Sequence, residues 1–238
     1  MSTEAIRRLG RYRIDAFIGR GGGPAANAAI MVSRMGLRAA FAGYLGSDLF
    51  GGFHLEELQS AGVNTELVVR GDHPTPVSGV FVQPTGQRSL VNYRAAETVL
   101  KPSAVDTSLV SARVMLFDGH QPDLSLALLR EARGRSIRTV LDAGSLNRGT
   151  ELLFDKVDFP VCSERFACDL AGTASPAAAV ERLSSPARCV VVTLGERGLL
   201  WKGRGAEGRV PAFPVKAVDT TGAGDVFHGA FAGSLATE

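Results

Sequence analysis

Short apolar runs alternate along this chain with longer stretches in which apolar and small residues recur at helical spacing. The runs at 39–43, 114–118, 139–142, 157–161 and 189–193 are apolar at nearly consecutive positions, as strands covered on both faces are. Between them, 25–35, 49–60, 124–132, 164–170, 176–183 and 223–235 predict helices. Several ends are legible: Gly36 and Gly62 stand where C-terminal caps close helices, and Asp48 stands where an N-cap belongs. Strands alternating with helices predict an α/β fold, a mostly parallel sheet with helices on both faces.

Two stretches break that rhythm. Residues 12–18, 77–83 and 88–93 alternate apolar and polar with a period of two, and the last two are joined by Pro84-Thr85-Gly86-Gln87, a hairpin connection containing glycine. They predict a small β-sheet lid, with strands from about 11–20 and 75–95, on a single domain spanning 1–238. A second hairpin is expected over 199–215 around Lys202-Gly203-Arg204-Gly205.

Composition narrows the partners. At 238 residues and 45% hydrophobic, the chain can bury a full core. The net charge is +2, and its 4 Lys and 22 Arg are scattered, which argues against the basic stripe of a nucleic-acid binder. The start MSTEAIRRLGRYR has no apolar h-region and no run reaches 18 apolar residues, so a cytoplasmic protein without a membrane partner is expected. Cys162, Cys168 and Cys189 have no metal-ligand spacing, and Cys189 opens the apolar run CVVVT.

The most informative segment is Asp219-Thr220-Thr221-Gly222-Ala223-Gly224-Asp225, followed by helical Val226-Phe227-His228-Gly229-Ala230-Phe231. Small residues at 222–224 let a ligand approach the backbone, and the helix N-terminus offers free N–H groups and a positive dipole end. That is an anion hole suited to a phosphoryl group in transit, with Asp225 placed to accept a proton from an attacking hydroxyl. A glycine-rich turn before a helix serves structure as readily as chemistry, so other segments must decide. Gly21-Gly22-Gly23-Pro24 leads into a second helix carrying Asn27, whose amide can donate to and accept from hydroxyls. Thr193-Leu194-Gly195-Glu196-Arg197-Gly198 closes an apolar strand with a glycine-rich turn, at the sheet edge where open α/β folds bind ligands.

These three pieces, in this order, resemble the ribokinase-like (PfkB) carbohydrate kinases, which phosphorylate a sugar hydroxyl with ATP. Gly43-Tyr44-Leu45-Gly46-Ser47-Asp48-Leu49-Phe50-Gly51 and Leu58-Gln59-Ser60-Ala61-Gly62-Val63 are also similar to the family, and the match runs from about Tyr12 to Glu238. The Gly-Gly-Gly-Pro-Ala-Ala start, Pro74-Thr75-Pro76 and DTTGAGDVFHGA resemble the ketose and sulfofructose kinase-like side. The resemblance implies a ribokinase-like α/β fold with a small β-sheet lid, ATP and Mg²⁺ as cofactors with K⁺ as a candidate, and a homodimer through the lid. It implies Asp225 as base with Gly222, Ala223 and Gly224 as anion hole. Gly22, Gly23 and Asn27, with Arg88 and Asn92 on the lid, would hold sugar, and Thr193, Gly195 and Gly198 would line the ATP site. Asp219 and Thr221 would face a monovalent cation, and Glu164 would be a magnesium candidate.

The sequence departs from that pattern in three places. The family begins with a further strand whose Asp grips the sugar, and it continues past the last helix; neither segment is expected here. Its N-x-x-E motif falls near Ser163-Glu164-Arg165-Phe166, which lacks the Asn. A second reading therefore stays open, a clipped scaffold that binds sugar or nucleotide without turnover. Gly203-Arg204-Gly205-Ala206-Glu207-Gly208 fits the dinucleotide fingerprint by letter but lies between two strands with no helix after it, and no P-loop motif occurs.

Overall fold

The computed structural model describes residues 15–82, 88–95, 98–107, 110–185 and 188–238. In chain order the first elements are α1 (Pro24–Arg34), β1 (Ala39–Ala40), β2 (Gly43–Gly46), α2 (Leu49–Ser60), β3 (Val63–Asn64) and β4 (Val68–Gly71). β5 (Val77–Val82), β6 (Arg88–Tyr93), β7 (Val114–Phe117), α3 (Pro122–Gly134), β8 (Arg138–Ala143) and α4 (Arg148–Phe154) follow. The remainder is β9 (Phe159–Ser163), α5 (Glu164–Ala171), α6 (Pro176–Leu183), β10 (Val190–Thr193), β11 (Leu199–Gly203), β12 (Ala206–Val210) and α7 (Ala223–Thr237).

Six strands form one sheet in the order β12-β11-β10-β9-β8-β7, parallel from β7 to β10 and antiparallel beyond. Alternation along a strand sends side chains to opposite faces, so β8 gives Val140 to one layer and Leu141 to the other. Leu141 packs with Leu129, Leu153, Phe166, Ala179 and Val190 under α3 to α6, while Val140 packs with Val161, Val191 and Ala232 under α7. Helices on both faces explain why these strands read as nearly continuous apolar runs.

α7 is buried on several sides. Phe227, Phe231 and Leu235, spaced by four, lie on the sheet, while Gly229 lies against α1 and Gly233 against Met35 and Leu37 just after it. A methyl group added at Gly229 would stand 2.5 Å from Ala28 O and 2.9 Å from Ala28 Cα, so only glycine allows this approach. α2 is capped by Asp48, whose Oδ1 accepts from Gly51 N–H at 2.8 Å and from the Thr75 hydroxyl at 2.6 Å.

The structure alters several expectations. The run at 39–43 is two short strands, β1 paired with β3 and β2 with β4, because the fully buried stretch is Gly43–Gly46. β9 starts at Phe159 instead of Val157, because the Asp158 carboxylate turns back to accept from Thr139 N–H and hydroxyl at 2.9 and 2.8 Å. The second hairpin turns at Arg204-Gly205, both with positive φ, and ends at Val210. The lid has two strands, β5 and β6, paired from Val77↔Tyr93 to Val82↔Arg88; Pro84-Thr85-Gly86-Gln87 lies outside the described residues. Residues 15–20 form no strand, and Phe17 and Ile18 there are 84% and 75% exposed; residues 11–14 lie outside the described residues. Among the described residues no helix is long and apolar enough to cross a membrane.

Candidate active site

The site assembles at the carboxyl ends of the parallel strands. Gly222 adopts φ 74°, a left-handed conformation that glycine takes without steric cost, and turns the chain into α7. Val226 N–H makes the first intrahelical bond, to Gly222 O at 2.9 Å, so the amides of Gly224 and Asp225 precede it and belong to the helix N-terminus. Ala223 N–H donates to Thr220 O at 3.2 Å, which ties that member of the expected anion hole into its own turn. A Cβ built at Gly224 would meet nothing within 4 Å, leaving room for a ligand against the backbone.

Opposite lies the glycine run. Gly23, at φ 97°, delivers the chain into α1, and Pro24 takes the first turn, where its missing N–H costs nothing. Asn27 Nδ2 donates to Asp225 Oδ2 at 2.6 Å, bringing together the proposed base and sugar-binding amide across 198 residues. Gly21 N–H donates to Glu57 Oε2 at 2.5 Å, and a side chain at Gly21 would strike Glu57 and His54. Gly22 faces open space, as a ligand-facing glycine should. Burial holds the His54 imidazole below its ordinary range, with the Glu57 carboxylate opposing.

Beneath α7 two strand ends meet. Asp118 follows β7 and accepts from His120 N–H at 2.9 Å and Ala25 N–H at 3.3 Å. Asp142, 4% exposed near the end of β8, accepts from Gly144 N–H at 3.1 Å through Oδ1. Its Oδ2 has no aligned hydrogen-bond donor and lies 3.1 Å from His228 Nδ1 of α7. Burial pushes the Asp142 carboxyl up to about 6; the His228 ring opposes this, while the charges of Asp225 and Asp118 add to it. None of Asp118, Asp142 and His228 was singled out from the sequence. The available signal was an Asp at or near the end of an apolar run, in VMLFD and TVLD.

The expected nucleotide residues lie at the end of β10. Thr193 donates its hydroxyl to Cys162 O at 3.2 Å, and Gly195 adopts φ 59° with open space around it. Gly198 has a packing reason as well, since a Cβ there would stand 2.0 Å from Val210 O. The Glu164 carboxylate is engaged by the Arg197 guanidinium in an ion pair. Asp219 Oδ1 accepts from Thr221 N–H and hydroxyl at 2.8 and 2.7 Å, closing the turn before Gly222. Asn92 sits exposed on β6 opposite Ser78, and Arg88 pairs with Val82 at the start of that strand.

A cleft floored by carboxylates, walled by a glycine run and closed by a helix N-terminus suits phosphoryl transfer to a hydroxylated substrate, and known proteins agree. The pfkB family carbohydrate kinase model matches residues 13–238. Fructokinase-1 of Zea mays is 33% identical over 238 residues, covering 90% of this chain and 73% of its own length. The deoxyribokinase of Salmonella typhi is 30% identical over 227 residues, with 89% and 73% covered. The crystal structure of fructokinase with bound ATP from Xylella fastidiosa superposes with a TM-score of 0.78 at 27% identity, covering 91% of this chain and 74% of that one. A family model spanning nearly every residue, and a fold shared with a solved fructokinase, place this chain in the PfkB family of carbohydrate kinases.

Proposed function

We propose that the chain transfers the γ-phosphate of ATP to a hydroxyl of a ketose-type sugar, with Asp225 as general base. The observation that carries this reading is the 2.6 Å contact between Asn27 and Asp225 at the N-terminus of α7. An amide able to bind hydroxyls, a carboxylate able to take a proton and helix-terminal amides able to face negative charge meet at that contact, which supports the reading. In the mechanism, the sugar hydroxyl lies against Asn27 and the glycines at 22–23, and its proton passes to an Asp225 oxygen as the oxygen attacks. The N–H groups of Gly224 and Asp225 then neutralise charge on the phosphoryl oxygens. Thr193, Gly195 and Gly198 line the nucleotide end, and the lid strand that begins at Arg88 and carries Asn92 serves the far end of the sugar. Fructokinases among the relatives support the ketose preference.

Magnesium, when bound, would supply positive charge to the nucleotide phosphates, held mainly through them with few protein ligands. No group of three or more His, Cys, Asp or Glu side chains capable of holding a metal occurs among the described residues. Glu164 does not fit as a direct ligand because Arg197 occupies its carboxylate. Asp219 and Thr221 offer oxygen donors of the kind a monovalent cation takes, beside the anion hole. The lid leaves Phe81, Val82, Leu90 and Tyr93 more than half exposed, apolar surface that supports a homodimer through this sheet. We place the reaction in the cytoplasm, where its phosphoryl donor is abundant.

The test is ADP release with ATP, magnesium and potassium across fructose, ribose, tagatose, 2-keto-3-deoxygluconate and sulfofructose. Asp225→Asn should lower turnover by at least about 10²-fold, the lower range for a positioned general base, and leave sugar affinity near the parent value. Undiminished turnover in Asp225→Asn would overturn the assignment of the base. Sugar-independent ATP hydrolysis alone would overturn the acceptor class.

A further inference from the structure

We infer that Asp142 and His228 form a buried ion pair that positions the first turns of α7, and so holds Asp225 and its neighbouring amides in register over the strand ends. The inference rests on the reading of Asp225 as the base and adds two residues that touch neither sugar nor nucleotide. Both side chains are 4% exposed. His228 lies three residues after Asp225, on the turn that carries the anion hole, and Asp142 lies near the carboxyl end of β8.

The oxygens around the imidazole define its charge. Nε2 is 3.1 Å from Val161 O of β9, a carbonyl that only accepts, so Nε2 carries a proton. Nδ1 is 2.6 Å from Gly224 O and 3.1 Å from Asp142 Oδ2, so it too faces acceptors only. A neutral ring would turn a lone pair onto a carbonyl at one nitrogen or the other, whereas an imidazolium satisfies both. Asp142 requires the same thing: its buried Oδ2, without an aligned donor, needs a cation beside it. The pair thereby ties α7 to β8 through the carboxylate and to β9 through Val161.

The groups that face Asp142 are His228 and Asp225 of α7, Asp118 after β7 and Cys162 of β9. Cys162 is fully buried, and burial followed by the Asp142 charge pushes its thiol up, so it stays neutral. Three carboxylates therefore share this floor with one cation. Without His228, nothing offsets the Asp142 and Asp118 carboxylates beneath α7, and its first turns lose their tie to β8 and β9. Without the Asp142 carboxylate, the ring loses the anion that holds it against β8.

Two measurements test the inference. In ¹⁵N spectra of the histidine rings, a resonance pair absent from His228→Asn should show both nitrogens protonated at pH 7.5. A neutral ring tautomer for His228 at that pH would overturn the ion pair, whatever the activity. In steady-state kinetics at pH 7.5, folded His228→Asn and Asp142→Asn should each lower kcat, by up to about 10²-fold, with the sugar KM near the parent value, because they displace the first turns of α7 and not the sugar contacts. Folded variants that keep the parent kcat, or whose loss lies only in KM, would overturn the role and leave the kinase reading intact. A fully active Asp225→Asn would instead remove the base on which the second measurement depends, and the ring spectra would then decide the pair alone.

Discussion

Gly229→Ala sets two effects of known size against each other. Alanine in a helix interior is favoured over glycine by about 1 kcal/mol, and that gain is expected wherever the added methyl group has room. At Gly229 it would stand 2.5 Å from Ala28 O, 2.9 Å from Ala28 Cα and 3.0 Å from Met31 Cβ. Ordinary contact begins near 3.4 Å, so α7 and α1 must separate by roughly 1 Å, and two of the three obstacles are backbone. Overpacking of this kind costs about 1–3 kcal/mol, which exceeds the propensity gain over most of its range and gives a net loss of up to about 2 kcal/mol. Separation also opens the 2.6 Å contact between Asn27 and Asp225, and a displacement of this size at a reacting centre costs on the order of 10²-fold in rate. Urea unfolding and kcat/KM measured side by side provide the check. Gly224→Ala is the matched control on the same helix: nothing lies within 4 Å of its Cβ, so stability should hold or rise while turnover falls because the methyl group stands where the phosphoryl must approach. A Gly229→Ala protein as stable as the parent, or more so, would refute the reasoning, since the close approach would then be no constraint.

Asp48→Ala should destabilise the fold by about 2 kcal/mol, combining a lost N-cap with unsatisfied Thr75 donors. The Thr75 hydroxyl, the Gly51 N–H and the Thr75 N–H hold the Asp48 carboxyl below the ordinary carboxylate range. Its stabilisation is therefore present above the unfolded-state pKa of about 3.9 and is lost as pH falls through the lower folded value. Melting curves from pH 6 to 2 should show a steeper acid loss in the parent than in Asp48→Asn, and parallel curves would count against it. For the lid, Phe81→Lys with Leu90→Lys should convert a dimer to monomer in sedimentation at micromolar concentration. A parent that is already monomeric would remove the lid as the assembly surface.

How much of this was legible in the sequence depended on how local each signal is. α2 could be placed to the residue because Asp48 and Gly62 mark its ends by their own chemistry. α4 was missed because only seven residues long it shows little periodicity, and its cap, Asn147 with Thr150, is an Asn–Thr version of the Ser/Thr–Glu box. β4 was missed because Arg70 and Gly71 interrupt its apolar character. Asp225 and Asn27 stood out because they sit in glycine-rich segments at helix starts. Asp142 and His228 did not, because a strand-end Asp and a helical His are ordinary alone and acquire meaning only once β8 and α7 are packed together. The same limit applied to Glu164, whose carboxylate is committed to Arg197, a residue 33 positions away.

The 198-residue separation between Asn27 and Asp225 has a consequence for biosynthesis. The proposed substrate amide and the proposed base lie on helices that touch face to face, yet the 198 positions that separate them must be translated before they can meet. A nascent chain can form α1 to α6 and the parallel strands while the cleft still lacks the N-terminus of α7, so the proposed phosphoryl transfer waits for that packing step. Contacts this distant also form slowly, and until α7 docks the apolar face of Val140, Val161 and Val191 stands bare. The docking of α7 is therefore one step that both completes the proposed site and covers this apolar face.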